Sequence, residues 1–386
     1  MIQTGEFFGA WLLPVGVAFA LSAASGVAEA NSRISVLYSF TGGNAGQSPG
    51  TGLIEDSDGN LIGGAGGGEF NGGVIFKVTS AGQEAVLHSF GDSGDGSFPD
   101  GGLIEDKQGN FYGTTYLNGP GGYGTVFKLA PGGSYTLLYS FKGGADGGYP
   151  SGTLTLDDKG NLYGTAEAGP NDLGIVFKVT PSGKKRTLYT FAGPDGARPG
   201  SAHLVVDKRG NLYGTTSQDG PDNHGVIFKL TPGGKETVLH SFDGDDGDAP
   251  NAGLIADKNG NFYGTTAGGG AHLAGTVFKF TVPGEVTVLY SFAGGSDGND
   301  PLAGVILDKS GNVYGTTSAG GDSNDGTVFG LASDGSRILN VSLERAKDGA
   351  PPTGSLVMDR QGALYGTAFY GGAKGLSDSG TVFKVK

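Results

Sequence analysis

One phrase recurs seven times along this chain: a glycine, two β-branched residues and a phenylalanine, followed in six copies by lysine. The copies begin at Gly73, Gly124, Gly174, Gly225, Gly275, Gly326 and Gly380, so the steps are 51, 50, 51, 50, 51 and 54 residues. A period near 50 marks a repeat architecture, in which each unit buries its apolar face only by stacking on its neighbours. The 79 glycines and 17 prolines would suggest disorder without that period. With it, the glycines fall at fixed offsets beside apolar runs and read as turns.

The second unit shows what one period contains. Gly102-Leu-Ile-Glu-Asp106 is a short apolar run, closed by a Lys107-Gln-Gly109 turn. Asn110-Phe-Tyr-Gly-Thr-Thr115 follows, then a glycine-rich loop, then Gly124-Thr-Val-Phe-Lys-Leu129. A turn at Pro131-Gly132-Gly133 leads to Tyr135-Thr-Leu-Leu-Tyr-Ser-Phe141. These read as four strands of five to seven residues, rich in β-branched and aromatic residues and without helical period. Four antiparallel strands repeated radially make a β-propeller blade, whereas a parallel β-helix would need a much shorter period.

The bookkeeping of the repeat gives seven blades. A D-x-x-G turn starts at Asp56, Asp106, Asp157, Asp207, Asp257, Asp308 and Asp359. The outermost-strand phrase ends at Phe40, Phe90, Phe141, Phe191, Phe242 and Phe292, with a degenerate seventh at Leu343. The last unit stops after its third strand, and a spare fourth strand stands at residues 34–40. Pairing the two closes the ring and removes both open edges. The expectation is therefore an all-β, seven-bladed propeller of four-stranded antiparallel blades, closed by the N-terminal strand pairing with the last three strands.

The connections divide into two kinds. The D-x-x-G and P-x-G turns are tight. The loops before the third strand and between blades are long, and in an up-and-down blade both emerge on one face. That face is the expected ligand face, because binding groups sit on loops held by a rigid scaffold.

The combination G-N-[LF]-Y-G-T-T, G-[TV]-[VI]-F-K and V-L-[YH]-S-F resembles the Gloeo/Verruco (GloVer) tandem repeats over residues 34–386. The D-x-x-G-N turn before an aromatic strand is similar to propeller repeats in sensor domains of two-component regulators. The resemblance implies an exported bacterial protein, often carrying a C-terminal anchor. This sequence departs there, ending at Val385-Lys386 without a sorting tail. It carries over no catalytic residue.

Residues Phe7 to Ala24 are apolar and lead to Ala28-Glu29-Ala30. This reads as a secretory signal peptide over 1–30, with 31–386 the propeller, although Glu6 and the missing basic residues are unusual for an export signal. A retained N-terminal anchor is the alternative. The localisation expected is secreted or cell envelope, with no membrane span after cleavage. The absence of cysteine is compatible with export. A net charge of −13 without any basic stripe counts against nucleic acid. A monomer is expected.

Few residues stand out of the repeat. Gly91-Asp-Ser93-Gly-Asp-Gly96 faintly resembles a serine nucleophile segment, but the same loop in other units lacks the serine. Asp95, Asp146, Asp195, Asp246, Asp297 and Asp348 precede or occupy Asp-Gly pairs on the long-loop face. They read as turn aspartates, with weak Ca²⁺ binding left open and no other cofactor expected. His88 and His240 replace tyrosines of the outer strand and read as structural. His203 stands where other units have Gly52, Gly102, Gly253 or Gly304, while His224 and His272 lie in long loops. With Arg198, these three are the candidate ligand-binding residues; Tyr116, Tyr149 and Tyr370 complete the irregular set. They lack metal-ligand spacing, and no metal site is expected. The recurring tyrosines (Tyr112, Tyr163 and their equivalents) and the lysines of the F-K phrase read as packing residues. The functional expectation is a non-catalytic scaffold that binds a surface glycan, peptide or protein partner. The alternative is a polysaccharide-active enzyme, a lyase or hydrolase, with its site on the long-loop face at the channel mouth.

Overall fold

The phenylalanine of the recurring phrase does more than any other residue to set the architecture. In the computed structural model, which describes residues 34–386 apart from 93, 201–202 and 373–377, the phrase forms the third strand of each of seven blades. The segment read as a signal peptide and Ser93 lie outside the described residues. Strands are lettered a to d from the axis outward, and blade 2 is representative: a, Ile104–Glu105; b, Phe111–Leu117; c, Thr125–Leu129; d, Tyr135–Ser140. Each blade is an antiparallel sheet in the order a-b-c-d, and in blades 2 and 7 a short loop strand, Ser97–Pro99 or Ala350–Pro352, also pairs with strand b.

The c-strand Phe127 is fully buried. Its ring lies across Gly113 of strand b, where an added Cβ would stand 2.8 Å from the ring and 2.7 Å from Leu103. This is why the Y-G-T-T phrase needs its glycine. On the other side Phe127 meets Phe90 of blade 1, with centroids 5.1 Å apart. The same contact joins Phe141 to Phe177 at 5.0 Å and Phe191 to Phe228 at 5.2 Å. The apolar clusters accordingly straddle adjacent blades; one holds Phe141 and Val126 of blade 2 with Phe177 and Leu162 of blade 3. Burying each phenylalanine contributes about 1.5–3 kcal/mol.

The threonines of the phrase work in the same direction. Thr115 on strand b and Thr125 on strand c share a hydrogen bond of 2.8 Å, and Thr266 with Thr276 repeats it. The preceding threonine reaches the next blade: Thr215 Oγ1 donates to the Ala252 carbonyl at 2.9 Å, and Thr265 to Ala303 at 3.1 Å.

The ring closes as expected. Ile34–Ser39 is strand d of blade 7, with Ile34 opposite Val385 and Ser39 opposite Thr381. Phe40 then packs on Phe76 of blade 1 at 5.0 Å.

Strand a departs from the expected five to seven residues. It has two in every blade, as in Val205–Val206 and Ile255–Ala256. The blades converge at the axis, and their backbones leave no room for a longer ladder. An added Cβ on Gly101 would lie 2.5 Å from the Gly152 carbonyl oxygen. The rest of the apolar run lines the channel instead of pairing.

The loops sort onto two ends. On the long-loop end, the inter-blade loop bridges to the loop after strand b of the following blade, as between Gly148 and Ala168 or Ala197 and Gln218. At the tight-turn end, Asp106 Oδ1 accepts from the backbone of Gln108 at 2.9 Å and Asn110 at 2.9 Å, while Oδ2 accepts from Tyr112 at 2.9 Å. Partial burial works against the Asp106 charge, yet the donors of Asn110, Tyr112 and Gln108 together hold its pKa below the usual carboxylate range. Lys128 lies over the Tyr112 ring.

At the outer junctions, the loop aspartates are also engaged. Tyr139 donates to Asp146 at 2.7 Å, and His88 and His240 meet Asp95 and Asp246 at 2.8 and 2.6 Å. The histidines thus replace tyrosine in its role. Lys185 and Arg337 of the next blade neutralise Asp146 and Asp297 at 3.1 and 2.7 Å. Glu236 takes the corresponding place beside Asp195; burial, reinforced by that neighbour's charge, raises its pKa to about 7.

Candidate functional site

The channel along the axis is a cavity of about 650 Å³, and every blade contributes to its wall. Two rings of residues, set by the segment between the loop proline and strand a, line it. The lower ring consists of Gly52, Gly102, Thr153, Gly253, Gly304 and Ser355, with His203 the one large side chain among them. An added Cβ on Gly253 would fall on the His203 backbone, so the small neighbour makes room for the histidine. Loss of hydration lowers the His203 pKa, which leaves the imidazole neutral at pH 7.

The upper ring carries Gly50, Ser151, Gly200, Asn251, Leu302 and Thr353, and on blade 2 the carboxylate Asp100. Asp100 is open to channel water but ringed by protein, and this desolvation, with the negative charge of Glu167 adding, raises its pKa to about 6. Glu167 is held by neutral donors: the Tyr116 hydroxyl at 3.1 Å and the Ser151 hydroxyl at 3.0 Å. Burial, and then the charge and hydrogen bond of Glu167, push Tyr116 up to about 12, so it stays a donor.

One backbone device holds the rim. The residue before each loop proline sits at positive φ in six blades: Ser48, Phe98, Tyr149, Arg198, Ala249 and Asp300, between 50° and 60°. In blades 3 to 6 its carbonyl receives the N–H of the residue just after strand b, as Glu167 to Tyr149 at 3.2 Å and Ser217 to Arg198 at 3.1 Å. A side chain in the left-handed region costs stability and persists where surroundings impose it. The backbone thus repeats around six blades of the rim, and the side chains differ. Blades 2 and 3 carry aromatics there: Tyr116 stacks on Tyr149 at 5.2 Å, and Tyr149 meets Tyr123 at 5.5 Å.

Of the candidates read from sequence, Arg198 and His203 line the cavity on blade 4. His224 and His272 do not. His224 binds Asp248 at 2.9 Å on the outer part of the long-loop end, and His272 is exposed beside Leu273. Tyr370 is covered by Arg345 and stands outside the lining. Asp100 and Glu167 escaped the sequence reading. A column-by-column comparison of the seven units would have found them, since Asp100 stands against glycine, serine, asparagine, leucine and threonine. The same comparison shows that blade 4 has one residue more between Pro199 and Leu204 than blade 3 has between Pro150 and Leu154, which is where His203 enters the wall. Among the described residues, no three His, Asp or Glu side chains converge to hold a metal ion, and no helix is long and apolar enough to cross a membrane.

The sequence profile of the Gloeobacter/Verrucomicrobia repeat matches residues 15–207 and 200–386. No curated protein matches the chain in sequence. Among solved structures, a streptogramin B lyase is similar at TM-score 0.61 and 14% identity, covering 92% of this chain and 97% of that one. The extracellular domain of a hybrid two-component system from B. thetaiotaomicron superposes at TM-score 0.58 and 13% identity. That match covers 92% of this chain but 41% of the other, so this chain spans about two fifths of its length. At such identities these likenesses speak for the fold alone.

Proposed function

The chain belongs to the Gloeobacter/Verrucomicrobia repeat family, and we propose that it is an exported propeller that binds an extracellular glycan, without catalysis, in the channel mouth on the long-loop end. One observation carries the reading: a cavity of about 650 Å³ whose wall is regular in backbone and irregular in side chain, with Asp100 and Glu167 in one sector and Arg198 and His203 in the next. Convergent polar groups in a preformed pocket, with a row of tyrosine rings beside it, suit a ligand that offers both hydroxyls and flat apolar faces. Export rests on the segment 1–30; sequencing the N-terminus of protein recovered outside the cytoplasm should find Asn31 first.

The test is a glycan-array and activity screen of the purified protein. Stoichiometric binding without products is expected. Substituting Arg198 and His203 together should weaken it with little change in melting temperature, and substituting Lys184 and Lys208, on the tight-turn end, should change nothing. If the second pair abolishes binding and the first does not, the two ends are assigned backwards.

A second reading has its own support. A carboxyl raised to about 6 beside another carboxylate is the arrangement a general acid requires. A polysaccharide-active enzyme would therefore use Asp100 as proton donor. The similar streptogramin B lyase adds no argument, because one fold hosts many functions. Turnover of any polysaccharide that Asp100→Asn removes would establish this reading over the first.

A further inference from the structure

The tyrosine row and the two carboxyls occupy the same sector of the mouth, on blades 2 and 3. Tyr116 and Tyr149 stack with 29° between their planes, and Tyr123 leans on Tyr149 at 52°. Phe98, on the blade of Tyr116, is 48% exposed, and Tyr123 is 37% exposed. The Tyr123 ring rests on Gly143 and its Cβ on Gly148, where added Cβ atoms would stand 2.6 and 2.7 Å away. Glycine at both places lets the tyrosine lie flat with its other side toward solvent.

The charges in this sector do not balance. Glu167 has only hydroxyl donors. Asp100 has no hydrogen-bond partner among the described residues, and no Lys, Arg or His there forms an ion pair with either carboxyl. Arg198, on the next blade, pairs with neither. Carboxylates in a confined cavity are less screened than on an open surface, so a ligand cation gains more there. Aromatic faces favour the same sign of charge. The net charge of −13 attracts cations to the molecule as a whole.

We infer that the blade 2–3 sector of the mouth binds a glycan bearing free amino groups, its ammonium held by Asp100 and Glu167 and its sugar faces against Tyr116, Tyr149 and Tyr123. This rests on the glycan-binding reading and adds the charge of the ligand. A neutral sugar would satisfy hydroxyl contacts and leave the carboxyl pair without a counter-charge. A uronic acid would meet like charge.

Titration calorimetry at pH 7.5 and low salt tests it with three tetramers of one linkage: β-1,4-glucosamine, its N-acetylated form and glucose. The amine form should bind about tenfold more tightly than the other two, the scale of one partly exposed ion pair with cation–π support. The double variant Asp100→Asn, Glu167→Gln should erase that preference while keeping the parent's melting temperature, and Tyr116→Ala should weaken all three sugars. Equal affinity for the three would overturn the inference and leave glycan binding standing. An undiminished preference in the double variant would also overturn it, placing the amine contact elsewhere. Failure of all three to bind would overturn both the inference and the glycan reading beneath it.

Discussion

At the tight-turn end, five of the seven blades repeat one closed set, an aspartate whose carboxyl is filled by an asparagine, a tyrosine and the turn's own backbone, as in Asp207 with Asn211 and Tyr213. At the mouth, the backbone is just as regular, with a positive-φ residue before each loop proline in six blades. Its side chains, however, run from Ser48 through Phe98 and Tyr149 to Arg198. At the first end the side chain makes the structure, so it recurs. At the second, backbone hydrogen bonds make the structure, and the side chain is free to serve a ligand. Substitutions should accordingly cost stability at one end and binding at the other.

The largest effect should come from removing a recurring element altogether. Deleting residues 31–41 takes away the strand Ile34–Ser39 and the buried Phe40, leaving Thr381–Val385 as an open edge. Phenylalanine loss alone costs about 3–5 kcal/mol, so urea unfolding should show at least that decrease, with aggregation through the edge. A truncated protein that melts like the parent and stays monomeric would break the account of closure. Next in size, Asp207→Ala should cost about 2 kcal/mol, the scale of hydrogen bonds to a charged group, with ligand affinity unchanged. The donors of Asn211, Arg209 and Tyr213 keep the Asp207 pKa low against the opposing effect of burial. Its stabilisation is therefore complete above the ordinary carboxylate value and is lost as pH falls through the lower folded value. The Asp207→Ala deficit should shrink in strong acid, and a deficit that stayed constant would show that the carboxylate charge is not what matters.

The smallest effect sharpens the comparison at the outer junction, where the position is repeated but its charge is not. Glu236 stands where blades 3 and 6 place Lys185 and Arg337, and its pKa is raised to about 7. A raised carboxyl favours the folded state fully below its unfolded value and loses that advantage as pH climbs through the folded one. Glu236→Gln should leave the melting temperature unchanged at pH 4 and raise it by about 1–2 °C at pH 8. An equal gain at both pH values would point to packing instead of charge.

The period, the blade number, the three-plus-one closure and the division into two ends were legible because recurring residues are recurring structure. Phe127 or Gly113 can be read from their copies. The two-residue inner strands were not legible, since nothing in Gly102-Leu-Ile-Glu-Asp106 reports how closely seven backbones approach at an axis. The mouth was half legible. Arg198 and His203 break the repeat and do line the channel, but His224 and His272 break it as visibly and sit elsewhere. Asp100 and Glu167 lie 67 positions apart in sequence and meet only because adjacent blades bring a loop start and a strand end together. Irregularity in sequence marks freedom from the repeat; only the fold says whether that freedom faces the lumen.

Ile34 lies opposite Val385, at the end of the sheet where strand c turns into strand d in the other blades. The first and last strands of the ring therefore begin and finish side by side at the tight-turn end, on the outer part of one blade. The seam that completes the circle thus opens onto the tight-turn end, opposite the channel mouth.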